Sequence, residues 1–227
     1  MIRLVFPLFF IFITFPCFAL PAQVILLRHA EKPYPEEGSH LSEEGWARAR
    51  ALSDYFLKNP EATRFGKVAG LYAVRPDRPD GSVRSIETLT PTSQALQVKI
   101  QTGFTKLEVS ALAQEILKSP AFDGRTVVVC WEHKRIPEIA KALGAKDAPE
   151  EWGGKVYDRL WYLRFDSTGR VEFLDLPQSH SVGLFARSDG FVLNQIRARS
   201  DLFSSGSRGL FFNACSRVQS SSALHES

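Results

Sequence analysis

The sequence predicts an α/β domain, a three-layer sandwich with a mostly parallel central sheet and helices on both faces. Two observations predict it. Between residues 20 and 180, short apolar runs of strand length alternate with amphipathic stretches of helical spacing. The runs are also apolar at nearly every position, which is the mark of strands buried on both faces rather than on one.

Residues 23–28 (QVILLR) are the first such strand, followed by a loop holding Pro33, Pro35 and Gly38. Ser42 is the cap of a helix, with Glu43 and Glu44 in its first turn and Trp46, Ala49, Leu52, Tyr55 and Phe56 at helical spacing. Residues 70–74 (GLYAV) read as a second strand that Pro76 ends. Residues 85–96 read as a helix that Pro91 kinks or restarts, because proline lacks the N–H the ladder needs. A short strand is expected near residues 98–101, and an amphipathic helix over residues 108–118. Residues 125–130 (RTVVVC) are rich in β-branched side chains after an Asp-Gly turn, so they read as a strand. Residues 136–143 read as a helix stopped by Gly144. Residues 157–165 and 171–176, flanking Ser-Thr-Gly, form an expected antiparallel hairpin. No internal repeat is visible.

The ends differ from this body. Arg3 precedes an apolar run from Leu4 to Phe15, and Ala19 offers a small residue for cleavage, so residues 1–19 read as a secretory signal peptide. A periplasmic or secreted protein is therefore expected; an uncleaved leader acting as a membrane anchor is the alternative. Residues 181–227 are rich in Ser, Arg and Gly, hold five Arg against two Asp and one Glu, and read as a poorly ordered tail. The expected domain is thus residues 20–180.

Composition excludes several classes. With 44% hydrophobic and 23% charged residues the chain can build a core, and a net charge of +3 without a basic block gives no nucleic-acid footprint. Cys130 sits in a buried run and Cys215 in the tail, so no disulfide framework is indicated. The five histidines lack metal-ligand spacing, which argues against zinc and for no metal at the site. His40, His180 and His225 show no partner spacing. Trp131, Trp152 and Trp161 read as packing residues, with Trp131 a candidate to line a pocket beside His133.

The chemistry collects at strand ends. Arg28-His29-Ala30-Glu31 follows the first strand directly, and in open α/β sheets ligands bind beyond the carboxyl ends of strands. His133 follows the strand ending at Cys130, in Trp131-Glu132-His133. Arg84 opens a helix, where backbone N–H groups also favour an anion. Two histidines and two arginines at converging loops suit a phosphate.

This pattern resembles the histidine phosphatase superfamily, which includes phosphoglycerate mutases and acid phosphatases. RHAEKP is similar to its opening motif, LSEEGWARA at residues 41–49 to the stretch that follows, RSIET at residues 84–88 to its second-arginine element, and VVVCWEH to the strand carrying the second histidine. The four occur in family order over residues 23–180. The resemblance implies a phosphoglycerate mutase-like fold and hydrolysis of phosphate monoesters through a phosphohistidine on His29. It implies Arg28 and Arg84 as phosphate ligands, His133 as an assisting donor, and no cofactor. The implied partner is a small phosphorylated substrate, with no nucleic acid and no stable membrane association once the leader is removed. The proton donor is open. Acid phosphatases of the superfamily carry His-Asp at the second histidine, where this chain has His133-Lys134. Mutase-like members use a Glu between the second arginine and second histidine, which favours Glu108, with Glu132, Glu31 and Glu115 as alternatives. An anion-binding module without turnover, a phosphomutase and a membrane-tethered interaction protein are the rival readings. Specificity is expected in loops 33–40, 76–83 and 145–155.

Overall fold

A computed structural model describes residues 20–35 and 38–178. The expected leader and the expected tail lie outside the described residues. Six strands form one sheet in the order β3-β2-β4-β1-β5-β6. The strands are β1 Gln23–Arg28, β2 Val68–Ala73, β3 Ile100–Gln101, β4 Thr126–Trp131, β5 Arg159–Phe165 and β6 Val171–Pro177. β1, β2, β3 and β4 run parallel, while β5 is antiparallel to both β1 and β6. The helices are α1 Glu43–Lys58, α2 Pro60–Thr63, α3 Arg84–Leu96, α4 Val109–Lys118 and α5 Ile136–Ala142. This is the three-layer sandwich the sequence predicts.

Alternation along the strands builds two cores from one sheet. Val24, Leu26, Val127, Val129 and Trp131 face one layer, where Leu112 and Ile116 of α4 and Ile136 and Ile139 of α5 cover them. Ile25, Leu27, Val128, Cys130 and Leu71 face the other, under Leu52 and Phe56 of α1 and Leu89 of α3. Each fully buried aliphatic side chain contributes about 1.5–3 kcal/mol of transfer free energy, so the central strands anchor the loops at their ends.

Three boundaries differ from the expectation. The helix over residues 84–96 continues through Pro91, because a single missing N–H is a local loss and the buried Leu89 holds the helix on the sheet. β3 shrinks to Ile100–Gln101 at the sheet edge, where only β2 pairs with it. The short α2 was not foreseen; Asn59 caps it by accepting from Glu61 N at 2.9 Å, and Pro60 suits its first turn. Among the described residues no helix is long and apolar enough to cross a membrane.

Topology then opens a crevice. β1 and β4 are adjacent and parallel, with Arg28 opposite Trp131 in the register. The chain leaves β1 for α1 on one face and leaves β4 for α5 on the other. Loops that part in this way leave a gap above the strand ends, which is where open α/β sheets bind ligands.

Candidate active site

A cavity of about 600 Å3 occupies that gap, and Arg28, His29, Arg84 and His133 all line it. The four side chains that the sequence singled out from three separate segments therefore share one site.

His29 is positioned by the bond its own loop makes. Its Nδ1 lies 2.8 Å from the Ala30 carbonyl oxygen. A carbonyl only accepts, so Nδ1 carries the proton and the neutral ring keeps its lone pair on Nε2. Burial, with lesser contributions from Arg28, Arg84 and His133, lowers the pKa of His29 from 6.5 to about 4. The imidazole is thus a neutral base at physiological pH. Ala30 N donates to Thr88 Oγ1 at 2.9 Å, and Thr88 Oγ1 donates to the Arg84 carbonyl at 2.7 Å, which ties the loop to the start of α3.

Backbone and phenol oxygens orient the two arginines. Arg28 is 3% exposed. Its Nη1 donates to Gly154 O at 2.7 Å, its Nη2 donates to Tyr157 Oη at 3.1 Å, and its guanidinium stacks 3.9 Å from the centre of the Tyr157 ring. Its buried Nε has no hydrogen-bond partner among the described residues. Arg84 donates from Nε to His40 O at 2.9 Å and from Nη2 to Gly38 O at 2.7 Å. Carbonyl and phenol oxygens fix direction without neutralising charge, so the Arg28 guanidinium keeps its field for an anion. The first turn of α3 has no side-chain cap, and Ser85 also lines the cavity.

His133 sits beside Glu132 and Lys134 in the cavity lining. Burial lowers its pKa, with Arg28, Lys134 and Lys32 acting in the same sense and Glu132 against. Its buried Nδ1 has no hydrogen-bond partner among the described residues.

The candidate proton donors are scattered. Glu108 is not brought to the cavity: its Oε2 accepts from Thr105 N and Thr105 Oγ1, both at 2.7 Å, and lies 3.7 Å from Arg75 Nη2. It occupies the N-cap position of α4, and these local bonds hold its pKa below the ordinary value. Glu31 is engaged by Arg48, whose Nε lies 2.8 and 2.9 Å from its two oxygens. Glu115 accepts from Tyr72 Oη at 2.7 Å on α4. Of the four, Glu132 lines the cavity.

The motif over residues 41–49 proves to be a brace. Ser42 caps α1 and its N–H donates to Glu31 O at 3.0 Å. A side chain at Gly45 would collide with the Glu31 backbone, so glycine lets α1 approach the loop carrying His29. Arg48 then fastens the Glu31 carboxylate.

Some positions escaped sequence reasoning. Tyr157 meets the His29 ring edge-to-face at 6.1 Å as well as stacking on Arg28, but it lies far from every motif. His40 Nδ1 pairs with Glu87 Oε1 at 2.6 Å, and Glu87 Oε2 accepts from Leu41 N at 2.8 Å. That bond steadies the loop whose carbonyl holds Arg84. Trp131 is fully buried in the core and does not line the cavity, since the strand alternation turns it away. Burial pushes the Cys130 thiol up to about 12, which leaves it inert. Among the described residues no group of three or more His, Cys, Asp or Glu is placed to hold a metal ion.

No family model matches the chain, and no curated protein matches it. Among solved structures it is similar to a mycobacterial glucosyl-3-phosphoglycerate phosphatase in complex with inorganic phosphate, at 13% identity and TM-score 0.46, covering 70% of this chain and 97% of that one. It is similar to the protein histidine phosphatase SixA complexed with tungstate, at 14% identity and TM-score 0.46, covering 69% and 97%. It is also similar to phosphoglycerate mutase from Bacillus anthracis str. Sterne, at 13% identity and TM-score 0.49, covering 70% and 94%.

Proposed function

We propose that this chain is a histidine phosphatase that hydrolyses phosphate monoesters without a metal. The observation that carries the reading is the state of His29: Nδ1–H donates to Ala30 O, leaving Nε2 as a neutral nucleophile in a cavity shared with Arg28, Arg84 and His133.

Two displacements follow. In the first, the Nε2 lone pair forms a bond to phosphorus as the phosphorus–ester oxygen bond breaks, and Glu132 gives its proton to the departing oxygen. Arg28 and Arg84 balance the charge spread over the equatorial oxygens, the electrostatic work that dominates phosphoryl transfer, and His133 donates a further hydrogen bond. In the second, water attacks phosphorus, its proton passes to the Glu132 carboxylate, and the phosphorus–nitrogen bond breaks to release phosphate and neutral His29. Glu132 is preferred as donor because it lines the cavity and its field reaches both Arg28 and His133.

The test is turnover of a panel of phosphate monoesters, p-nitrophenyl phosphate included, with chelator present. His29→Ala is expected to lose at least about a thousandfold in rate, as removal of a covalent nucleophile does. Unchanged turnover sinks the assignment, and tight phosphate binding without turnover assigns the cavity to an anion-binding module. Exchange of label without net hydrolysis assigns a mutase.

A further inference from the structure

Arg28 and Arg84 suffice for one phosphoryl group, yet the cavity is lined by five more cations: Lys32, Arg75, Arg78, Lys106 and Lys134. Against them, among the described residues, stand Asp77 and Glu132 in the lining, with Asp80 and Glu108 paired to lining arginines from outside it. Residues 20–180 are formally neutral as a whole, so the lining is richer in cations than the body it belongs to. A monoester dianion does not require that excess.

Three of these cations stand on a braced shelf. Arg75 N donates to Phe104 O at 2.8 Å, and a parallel bridge joins Arg75 to Thr105, so the loop after β2 and the loop before α4 are zipped together. Across that seam Lys106 Nζ lies 3.0 Å from Asp77 Oδ2, and Arg75 lies 3.7 Å from Glu108, itself fastened to Thr105. Arg78 pairs with Asp80 at 3.1 Å in a turn closed by Gly81 N donating to Arg78 O at 2.9 Å. Pro76 and Pro79 restrict the same loop. These ion pairs are open to solvent: the Arg78 and Asp80 side chains are 75% and 77% exposed. Such pairs are worth about 0–1 kcal/mol, so a ligand anion can replace the carboxylate partner at little cost while the backbone shelf stays in place.

We infer that Arg75, Arg78 and Lys106 form a second anion subsite. The substrate class is then a small phosphate monoester bearing another phosphate or a carboxylate beyond the transferred group. This rests on the phosphatase reading above. It narrows that reading from any monoester to a doubly anionic one.

Three probes separate the possibilities: fructose 1,6-bisphosphate, 6-phosphogluconate and glucose 6-phosphate, which offer a second phosphate, a carboxylate or no second charge. The native protein is expected to favour at least one doubly anionic probe over glucose 6-phosphate by about tenfold or more in kcat/KM, expressed mainly in KM. In the Arg78→Met/Lys106→Met double variant that ratio is expected to fall at least about fivefold, and the preference to shrink in 0.5 M salt through screening. Equal kcat/KM for all three probes, or a preference unchanged in the double variant, overturns the subsite and leaves the phosphatase reading intact. Calorimetry on His29→Ala protein with fructose 1,6-bisphosphate and inorganic phosphate decides the case if no probe turns over. Preferential binding of the bisphosphate, lost when the rim substitutions are added, keeps the subsite and sinks hydrolysis; equal binding overturns the subsite.

Discussion

The floor and the rim of the cavity hold their cations in opposite ways. On the floor, Arg28 is nearly buried and leans on carbonyl and phenol oxygens, which orient a guanidinium without cancelling its charge. On the rim, Arg75, Arg78 and Lys106 are exposed and each faces a carboxylate. A buried cation clamped by neutral acceptors is preorganised for a charge that arrives during reaction. An exposed cation paired with an acid is an exchangeable contact that selects among ligands. Under the proposed function, the difference divides one cationic site into machinery and selector, with the acceptor type separating them.

The sharpest way to break this comparison is to remove one guanidinium from each region. Arg28→Met keeps an unbranched stem but removes the floor charge. It is expected to cost about a thousandfold in kcat/KM on p-nitrophenyl phosphate, in line with loss of one preorganised donor and its charge. Arg78→Met on the same substrate is expected to lose no more than about threefold. Circular dichroism and an unfolding midpoint confirm that both proteins are folded. Similar losses from the two would erase the distinction.

How this floor was legible is itself physical. Arg28, His29, Arg84 and His133 follow strands or open a helix, and strand ends in a parallel sheet converge whatever the loops do, so order along the chain forecasts meeting in space. Ser42, Gly45 and Arg48 carried a recognisable spacing because one helix has to dock on one loop. The rim had no such constraint. Arg75, Arg78 and Lys106 sit on loops whose joining depends on a backbone bridge between residues 75 and 105, a long-range pairing with no local signal. Tyr157 was hidden for the same reason. Glu108 stood out in the sequence by opening a helix, where a carboxylate satisfies local donors equally well. Edge and connector elements, β3 and α2, were the least visible parts of the fold, since neither has a long apolar period.

Burial on the floor also carries a stability signature that the rim lacks. His29 titrates at about 4 in the fold and near 6.5 in the unfolded chain. Between those values the unfolded chain binds a proton that the folded protein does not, so stability falls as pH drops through that window and is untouched above about pH 7. The loss from this group is on the order of 3 kcal/mol by pH 4. Urea unfolding of the native protein and His29→Gln at pH 7, 5.5 and 4 measures it: the two curves of stability against pH should diverge on acidification, the variant losing less. Burial shifts His133 in the same direction, so some acid sensitivity persists in the variant. Parallel curves would mean that His29 is solvated, and the floor would lose its claim to be preorganised.

The smallest effects separate two carboxylates that sequence could not. Glu132 lines the floor beside His133, whereas Glu108 braces the rim through Thr105. Glu132→Gln removes the proposed proton donor, so its cost should follow the leaving group. About 10–50-fold is expected on an alkyl phosphate, whose oxygen must be protonated as it departs, and several-fold less on p-nitrophenyl phosphate, whose leaving group is already a good one. Glu108→Gln should change kcat/KM on either ester by no more than about twofold, because its bonds are local and solvent-exposed. The interaction between variant and leaving group is the decisive quantity, since misplacing a loop slows both esters alike. A leaving-group dependence that follows Glu108 rather than Glu132 would move the proton donor from the floor to the rim, and with it the boundary between machinery and selector.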